Sequence, residues 1–376
     1  MPKVYNWHIG REMDYPYEES RPEKQVAWVF DINKCIECQT CTVACKTTWT
    51  SGKGQESMFW NNVETKPYGG YPTGWDLSIL PKLGEQVWNA NNVYEGKTVF
   101  ESAPQGEKVN GYLPTDEDYA HVNLGEDECT QVIEKGAFFQ GIHNAWMFYL
   151  ARICNHCTYP ACLAACPRKA IYKRKEDGIV LVDQTRCRGY RECVKACPYK
   201  KVFFNMVTRT SEKCIACFPL IEKGEQPRCV QTCIGKIRLM GFLNPPEKIR
   251  RDNPLDFLIY YKKIALPLYP QFGLEPNVYY IPPVHVPREF LYQMFGPTVD
   301  EAIETYRNAH QDRELLGALL LFTSTQKIID SFRVKGDYVY GYNEKGDEVV
   351  KVPFTEPLYI RPYYDNKEKV YRHTIT

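Results

Sequence analysis

The hydrophobic and polar positions in the last part of the chain predict two helices and a hairpin. Apolar side chains recur at helical spacing over residues 298–309 and again over 312–332, so each stretch can present one apolar face to a core. Residues 338–352 predict two strands joined by a turn at 343–346. The preceding stretch, residues 264–297, is rich in proline and is expected to be extended.

No apolar run is long enough to cross a membrane. The longest, residues 315–322, is interrupted by Gly317, whereas a spanning helix needs about 20 apolar residues. The first 17 residues are polar and aromatic and lack the apolar centre of a signal peptide. We therefore expect no direct membrane span and no N-terminal secretion signal.

Cysteines cluster in four runs, at residues 35–45, 154–166, 187–197 and 214–233. Two pairs of such runs predict an α+β fold with two ferredoxin-like modules of the bacterial dicluster type. A long insertion rich in loops and an extended, partly helical C-terminal tail would complete the fold. The expected segments are an irregular N-terminal arm (1–26), module 1 (27–46 plus 205–240), the insertion (47–150), module 2 (151–204) and a partner-binding tail (241–376).

Charge and motif content exclude several classes of function. The chain has 376 residues with 47 Lys+Arg and 46 Asp+Glu, a balance that gives no general attraction to nucleic acid. It has no glycine-rich dinucleotide motif and no P-loop. We find no pairing of a nucleophile with a base, so no catalytic residue is predicted. The 27 Tyr and 26 Pro favour contact surfaces and extended segments that lie against another molecule.

Fifteen of the sixteen cysteines fall in four runs whose spacing is typical of iron–sulfur proteins. In bacterial ferredoxins a tight loop supplies three thiolates to one cluster, and the fourth cysteine of the run ligates the other cluster. Two such runs facing each other hold two clusters, so four runs predict four. The runs are Cys35-x2-Cys38-x2-Cys41-x3-Cys45, Cys154-x2-Cys157-x4-Cys162-x3-Cys166, Cys187-x5-Cys193-x3-Cys197 and Cys214-x2-Cys217-x11-Cys229-x3-Cys233.

Exchange of the fourth cysteine between facing runs gives the expected ligand sets. The second and third runs are close in sequence and pair with each other. The first and fourth runs then pair because no other partner remains. The expected [4Fe–4S] sets are Cys35, Cys38, Cys41 and Cys233; Cys45, Cys214, Cys217 and Cys229; and Cys154, Cys157, Cys162 and Cys197; the fourth set is Cys166, Cys187 and Cys193.

The fourth set lacks one thiolate. Tyr190 occupies the position at which a ferredoxin would have the missing cysteine. A phenol is a poor substitute for a thiolate in holding a fourth iron, so we predict a [3Fe–4S] cluster at this site.

Other uses of the cysteines are possible from the sequence. Pairs two residues apart also bind structural zinc, and the fourth run alone could form a zinc ribbon. Disulfides are a further alternative, whereas covalent haem is disfavoured because no C-x-x-C-H occurs. Cys129 lies outside the runs and is expected to be a free thiol.

Basic residues surround the second and third runs. They could form a solvated positive surface, offset the negative charge of the clusters, or bind an acidic partner. They are Arg168, Lys169, Lys173, Arg174, Lys175, Arg186, Arg188, Arg191, Lys195, Lys200 and Lys201.

The chain resembles the iron–sulfur beta subunits of the molybdopterin oxidoreductases related to respiratory nitrate reductase. The resemblance covers almost the whole chain. The opening VYNWHIGREMDYPY is most similar to the nitrite oxidoreductase branch. The segments that carry the resemblance are CIECQTCTVAC (35–45), FWNNVETKPYGGY (59–71), ICNHCTYPACLAACPRKAIYK (153–173), CRGYRECVKACPYKK (187–201) and ALPLYPQFGLEPNVYYIPP (265–283).

The resemblance implies three [4Fe–4S] clusters and one [3Fe–4S] cluster in a subunit that relays single electrons. It implies a catalytic alpha subunit with a molybdenum bis-pterin, and often a haem-binding gamma subunit. Nitrite oxidation to nitrate is the expected reaction of the complex. The alternatives are a nitrate, selenate or (per)chlorate reductase, in which electrons flow the other way, and a stand-alone polyferredoxin shuttle.

The resemblance also bears on location. Exported members of this group travel folded with a signal-bearing alpha subunit, which agrees with the polar N-terminus of this chain. We therefore expect an extracytoplasmic site, with the cytoplasmic face of the membrane as the alternative.

Overall fold

A mixed four-stranded sheet lies at the centre of the computed structural model, which describes residues 2–120, 146–355 and 360–375. Gln25–Asp31 pairs antiparallel with Arg238–Leu243 on one side and parallel with Val278–Ile281 on the other. Leu266–Pro267 completes the sheet beyond Val278–Ile281. The sheet therefore joins the strand before the first cysteine run, the strand after the fourth run and two strands of the tail.

The central strand divides two cores. All seven residues of Gln25–Asp31 are buried, as expected for a strand covered on both faces. Because successive side chains of a strand point to opposite faces, Trp28 and Phe30 join the core that contains the cysteines. Ala27 and Val29 join a second core, built largely from the tail. The tail is thus a layer of the fold and not a detached extension.

The later part of each cysteine run forms a short helix, and these helices pack in pairs. Thr40–Trp49 packs against Arg228–Gln231, and Ala161–Ala165 packs against Glu192–Ala196. The pairing joins the first run to the fourth and the second to the third. Two antiparallel hairpins accompany them, Ile171–Lys173 with Val180–Val182 and Val202–Asn205 with Thr210–Lys213.

The insertion is held against the cysteine-rich core by a buried network of charges. Strand Asn62–Lys66 pairs with Phe148–Arg152. The buried Arg152 guanidinium donates hydrogen bonds to Glu64 and, at 2.8 Å, to the Tyr199 carbonyl oxygen. Lys66 Nζ lies 2.8 Å from Asp76 Oδ2. Each of these four buried charges, Arg152, Glu64, Lys66 and Asp76, therefore has a charged partner, without which burial would be costly.

The remaining elements have the following bounds. The other helices, including single 3₁₀ and π turns, are Ile32–Lys34, Leu80–Leu83, Asp116–Ala120, Phe218–Ile221, Pro246–Lys248, Pro254–Asp256, Phe257–Tyr261, Pro270–Phe272, Arg288–Phe295, Val299–Arg307, Ala309–Gln311 and Arg313–Leu320. The other strands are Lys3–Asn6, Arg11–Asp14, Ser331–Lys335, Tyr338–Tyr342, Glu348–Pro353, Ile360–Asp365 and Val370–Ile375.

The structure supports the mixed helix-and-strand class and parts of the predicted tail. A helix spans Val299–Arg307, close to the predicted 298–309. Tyr338–Tyr342 pairs antiparallel with Glu348–Pro353 around the predicted turn.

The predicted helix over 312–332 is wrong beyond its first turns. Asp312 caps the start of the helix, because its Oδ1 accepts a hydrogen bond from the Leu315 amide. The helix spans only Arg313–Leu320 and ends well before the predicted residue 332. Thr323 adopts a positive φ of 51°, and its amide donates to the Arg238 carbonyl oxygen. Ser and Thr side chains compete for backbone groups and end helices. Residues Ser331–Lys335 then form a strand.

Two further predictions missed regular structure. The arm expected to be irregular contains the hairpin Lys3–Asn6 with Arg11–Asp14, and it buries Ile9 and Met13 in the core. The proline-rich stretch contains the helix Arg288–Phe295.

The predicted boundary between residues 204 and 205 falls inside strand Val202–Asn205, so module 1 and module 2 share a hairpin.

Cys129 lies outside the described residues. Among the described residues, no helix is both long enough and apolar enough to cross a bilayer.

Candidate iron–sulfur sites

Three cavities in the cysteine-rich core are each lined by four cysteines. Each encloses about 310–350 Å³ of empty volume, counting space open to solvent. The sets are Cys35, Cys38, Cys41 and Cys233; Cys45, Cys214, Cys217 and Cys229; and Cys154, Cys157, Cys162 and Cys197. The structure therefore brings together the cysteines of each predicted four-residue set. We name the cavities the Cys35, Cys45 and Cys154 cavities after their first members.

The remaining three cysteines also lie near one another. Cys193 interacts electrostatically with Cys166 and Cys187. Ser211 links two of them, since its Oγ lies 3.2 Å from Cys193 Sγ and its amide lies 3.4 Å from Cys187 Sγ. We name this group the Cys166 site.

Tyr190 is exposed at the edge of the Cys166 site. Its side chain is 61% accessible to solvent, and it follows Gly189, whose φ is +69°. A Cβ at Gly189 would lie 2.7 Å from the Arg209 carbonyl oxygen, so only glycine fits this turn. The structure places no fourth thiolate in this loop.

The backbone around the runs turns its amides towards sulfur. Lys169, Lys200 and Lys236 each adopt a φ of +49°, three residues after the last cysteine of their runs. In this turn the Ala170 amide lies 3.3 Å from Cys166 Sγ, and the Ile237 amide lies 3.4 Å from Cys233 Sγ. Amide donors of this kind stabilise a thiolate.

Side chains from outside the runs also donate to sulfur. Trp49 Nε1 lies 3.1 Å from Cys217 Sγ. Arg238 Nη2 lies 3.1 Å from Cys41 Sγ, and the guanidinium is fully buried over the Phe30 ring at 4.4 Å. Its positive charge faces Cys229 and Cys233 as well. Arg238 thus lies between the Cys35 and Cys45 cavities.

The thiols themselves are poorly solvated. Burial raises the pKa of Cys157 and Cys162 well above the usual range, and burial raises the pKa of Cys45 to about 12. As free side chains they would therefore remain protonated at neutral pH. A metal that binds them displaces those protons, because the thiolate is the ligand.

Unpartnered buried atoms line the same cavities. Trp28 Nε1 and Trp60 Nε1 have no hydrogen-bond partner within the part of the chain that the structure describes, and both residues line the Cys45 cavity. His156 Nε2 is likewise unpartnered and its residue lines the Cys154 cavity. Buried polar atoms normally find a partner. Inorganic sulfide accepts hydrogen bonds, so the residues present fit an iron–sulfur cluster.

Two alternatives from the sequence find no support in the described residues. All fifteen described cysteines are free, so none forms a disulfide. Among residues 2–120, 146–355 and 360–375, no three His, Cys, Asp or Glu side chains are grouped tightly enough to hold a single metal ion. A zinc site would draw its sulfurs within about 2.3 Å of one centre.

The basic residues near the second and third runs divide by burial. Lys200 and Lys201 are buried, at 0% and 1% exposure. The exposed ones are Arg168, Lys169, Lys175, Arg186, Arg188 and Arg191. Sequence reasoning did not single out Trp49, Lys213 or Arg238, because nothing in their spacing distinguishes them from surface residues. The only local signal was that Lys213 immediately precedes Cys214.

Comparisons with known proteins agree with this geometry. A family model described as a 4Fe-4S dicluster domain matches residues 145–243. The chain is 42% identical over 344 residues to the selenate reductase subunit beta of Thauera selenatis, covering 81% of this chain and 98% of that protein. It is 42% identical over 342 residues to the chlorate reductase subunit beta of Ideonella dechloratans, with the same coverage.

A third relative is the respiratory nitrate reductase subunit beta of Haloferax mediterranei. The identity is 42% over 324 residues, which cover 75% of this chain and 85% of that protein. Cysteine spacing, fold and these similarities agree: the chain belongs to the iron–sulfur beta subunits of the nitrate reductase group of molybdopterin oxidoreductases.

Proposed function

We propose that this chain holds three [4Fe–4S] clusters and one [3Fe–4S] cluster and relays electrons for a molybdopterin catalytic subunit. The observation that carries the proposal is the set of three four-cysteine cavities beside one three-cysteine group. Such clusters accept and release one electron at a time. The chain supplies the thiolates, the donors to sulfur and the apolar shell that excludes water.

The ligands of each cluster follow the cysteine sets as they are grouped in the fold. The Cys35, Cys45 and Cys154 cavities would each hold a four-iron cluster. The Cys166 site would hold the three-iron cluster, with Tyr190 at the position that lacks a ligand. In this arrangement each helix pair carries two clusters, which gives two modules.

The proposed partners are a catalytic alpha subunit and a haem-binding gamma subunit. Support for the alpha subunit comes from the relatives, which are named as beta subunits of reductases. The gamma subunit follows from the family resemblance alone. The same resemblance supports an extracytoplasmic location, reached by export with a signal-bearing alpha subunit.

The substrate of the complex is proposed to be an oxyanion that is reduced. The three relatives described above are named for selenate, chlorate and nitrate reduction, which favours the reductive alternative over nitrite oxidation. Nitrite oxidation remains the second candidate because of the opening segment at residues 4–17.

Purification of the native complex tests the assignment. We expect the chain to co-purify with a molybdenum protein, and a monomeric chain without such a partner would contradict the subunit assignment. Activity assays of the same complex distinguish oxyanion reduction from nitrite oxidation. Faster reduction of selenate, chlorate or nitrate by a reduced dye than oxidation of nitrite supports the reductase, and the reverse order supports nitrite oxidation.

A further inference from the structure

Two buried lysines lie where the two modules meet. Lys201 and Lys213 both line the Cys154 cavity, and they are 1% and 2% exposed. Lys213 also contacts the neighbouring cavity, because its Nζ donates a 3.0 Å hydrogen bond to the carbonyl oxygen of Cys214. The two ammonium groups therefore lie between the Cys154 and Cys45 cavities.

Neither ammonium group forms an ion pair with a carboxylate of the described residues. Lys201 Nζ donates to Asn62 Oδ1 and to the Phe59 carbonyl oxygen. Lys213 Nζ donates to the carbonyl oxygens of Val180 and Cys214. These hydrogen-bond acceptors are neutral, and the Glu64 carboxylate that attracts Lys201 is already paired with Arg152. A buried charge without a counter-charge of its own is costly. By contrast, the equally buried Lys66 pairs with Asp76 at 2.8 Å.

The negative charge that these lysines need can come from the thiolate sets on either side. Lys213 interacts electrostatically with Cys154 and Cys162 of one cavity and with Cys214 of the other. Lys201 interacts with Cys45 and Cys214, and more strongly with Arg152 and Glu64, which pair with each other. A cubane held by four thiolates is an anion, and reduction adds one further negative charge. A fixed positive charge nearby favours the reduced form, and the effect is strong in a poorly polarisable interior.

We propose that Lys201 and Lys213 form a buried positive bridge that raises the reduction potentials of the clusters in the Cys154 and Cys45 cavities together. The bridge rests on the proposed electron-transfer function. Both lysines are positioning residues, since they act on the clusters without ligating them. Because they lie between the Cys154 and Cys45 cavities, loss of one charge affects the clusters of these two cavities more than those of the Cys35 cavity and the Cys166 site.

A redox titration of the native complex, followed by electron paramagnetic resonance, tests the bridge. The variants are Lys213→Met, which removes the charge, and Lys213→Arg, which keeps it. The matched control is Lys223→Met, which removes the charge of an exposed lysine. We expect Lys213→Met to lower two four-iron potentials by at least 59 mV, a tenfold change in a one-electron equilibrium. Lys213→Arg and Lys223→Met should leave them near the wild-type values.

Each outcome of the titration either supports or overturns the proposed bridge. Unchanged potentials in Lys213→Met, or an equal fall in Lys213→Arg, overturn the bridge. If Lys213→Met does not assemble, Lys201→Met is titrated in the same way, and unchanged potentials there overturn it. Failure of the proposed function can be distinguished from failure of the bridge, because the wild-type complex would then lack iron and show no cluster signal at all.

Discussion

At the scale of single residues, donors to sulfur set the electronic environment of each site. Backbone amides, Trp49 and Arg238 approach different thiolates within 3.1–3.4 Å. Hydrogen bonds to the sulfurs stabilise negative charge and raise the reduction potential of a cluster. The two side-chain donors, Trp49 and Arg238, can be removed by substitution without touching a ligand.

Trp49→Phe removes the indole N–H that lies 3.1 Å from Cys217 Sγ. We expect one four-iron potential to fall by roughly 30–60 mV, at most about a tenfold change in the one-electron equilibrium. A redox titration followed by electron paramagnetic resonance measures it. The control Trp7→Phe alters an exposed indole and should have no effect. An unchanged potential in Trp49→Phe would show that this contact does not tune the cluster.

Tyr190→Cys restores the missing thiolate of the Cys166 site. We expect the three-iron signal of the oxidised protein to disappear and the iron content to rise by about one atom per chain, as the site becomes four-iron. The control Tyr190→Phe, which adds no ligand, should keep the signal. Persistence of the full three-iron signal in Tyr190→Cys would contradict the assignment of this site.

At the scale of elements, the cysteine runs were predictable because the spacing of the cysteines along the chain is itself typical of iron–sulfur proteins. Proline after Cys166 and Cys197 ends each run in a turn, whereas Lys46 lets the helix continue to Trp49. The break after Leu320 was not predictable from apolar spacing alone. It depends on a tertiary contact, the hydrogen bond from the Thr323 amide to the Arg238 carbonyl oxygen.

The hairpin at the N-terminus was missed for a related reason. Lys3–Asn6 and Arg11–Asp14 are each only four residues long, which is too short for a clear period-two pattern. Buried Ile9 and Met13 hold this hairpin in the core. The grouping of the cysteines could be predicted from their spacing and the exchange of one cysteine between facing runs. The positions of Lys201 and Lys213 beside the cavities could not, because they depend on which residues meet in the folded interior.

Gly189→Ala tests the turn that carries the Cys166 site. A Cβ at this position meets the Arg209 carbonyl oxygen at 2.7 Å, so the turn must shift. We expect a smaller three-iron signal per chain than in the wild type. The matched control is Gly346→Ala, which has a similar positive φ of 83° but meets no atom within 4 Å. Equal signals in the two variants would show that the close contact is unimportant.

At the scale of the whole molecule, the central sheet joins the cluster-bearing core to the tail. The fully buried Ile281 lies in the strand that pairs with Gln25–Asp31 and packs in the tail-side core. Both halves of the protein therefore depend on this strand.

Ile281→Ala should lower the free energy of unfolding by about 2–5 kcal/mol, the usual cost of emptying such a site. Thermal unfolding of the native complex measures it as a lower midpoint. The control Val207→Ala truncates a side chain that is 63% exposed and should cost within about 0.5 kcal/mol. A midpoint equal to that of the control would contradict the role of the sheet.

Fifteen thiolates are proposed to hold iron and sulfide in this one chain. Metal analysis of the native complex, combined with electron paramagnetic resonance of the oxidised protein, measures this content. After subtraction of any iron in partner subunits, we predict about 15 iron atoms per chain and a three-iron signal, from three four-iron clusters and one three-iron cluster. A folded chain that is colourless and free of iron, or that carries zinc instead, would contradict the account.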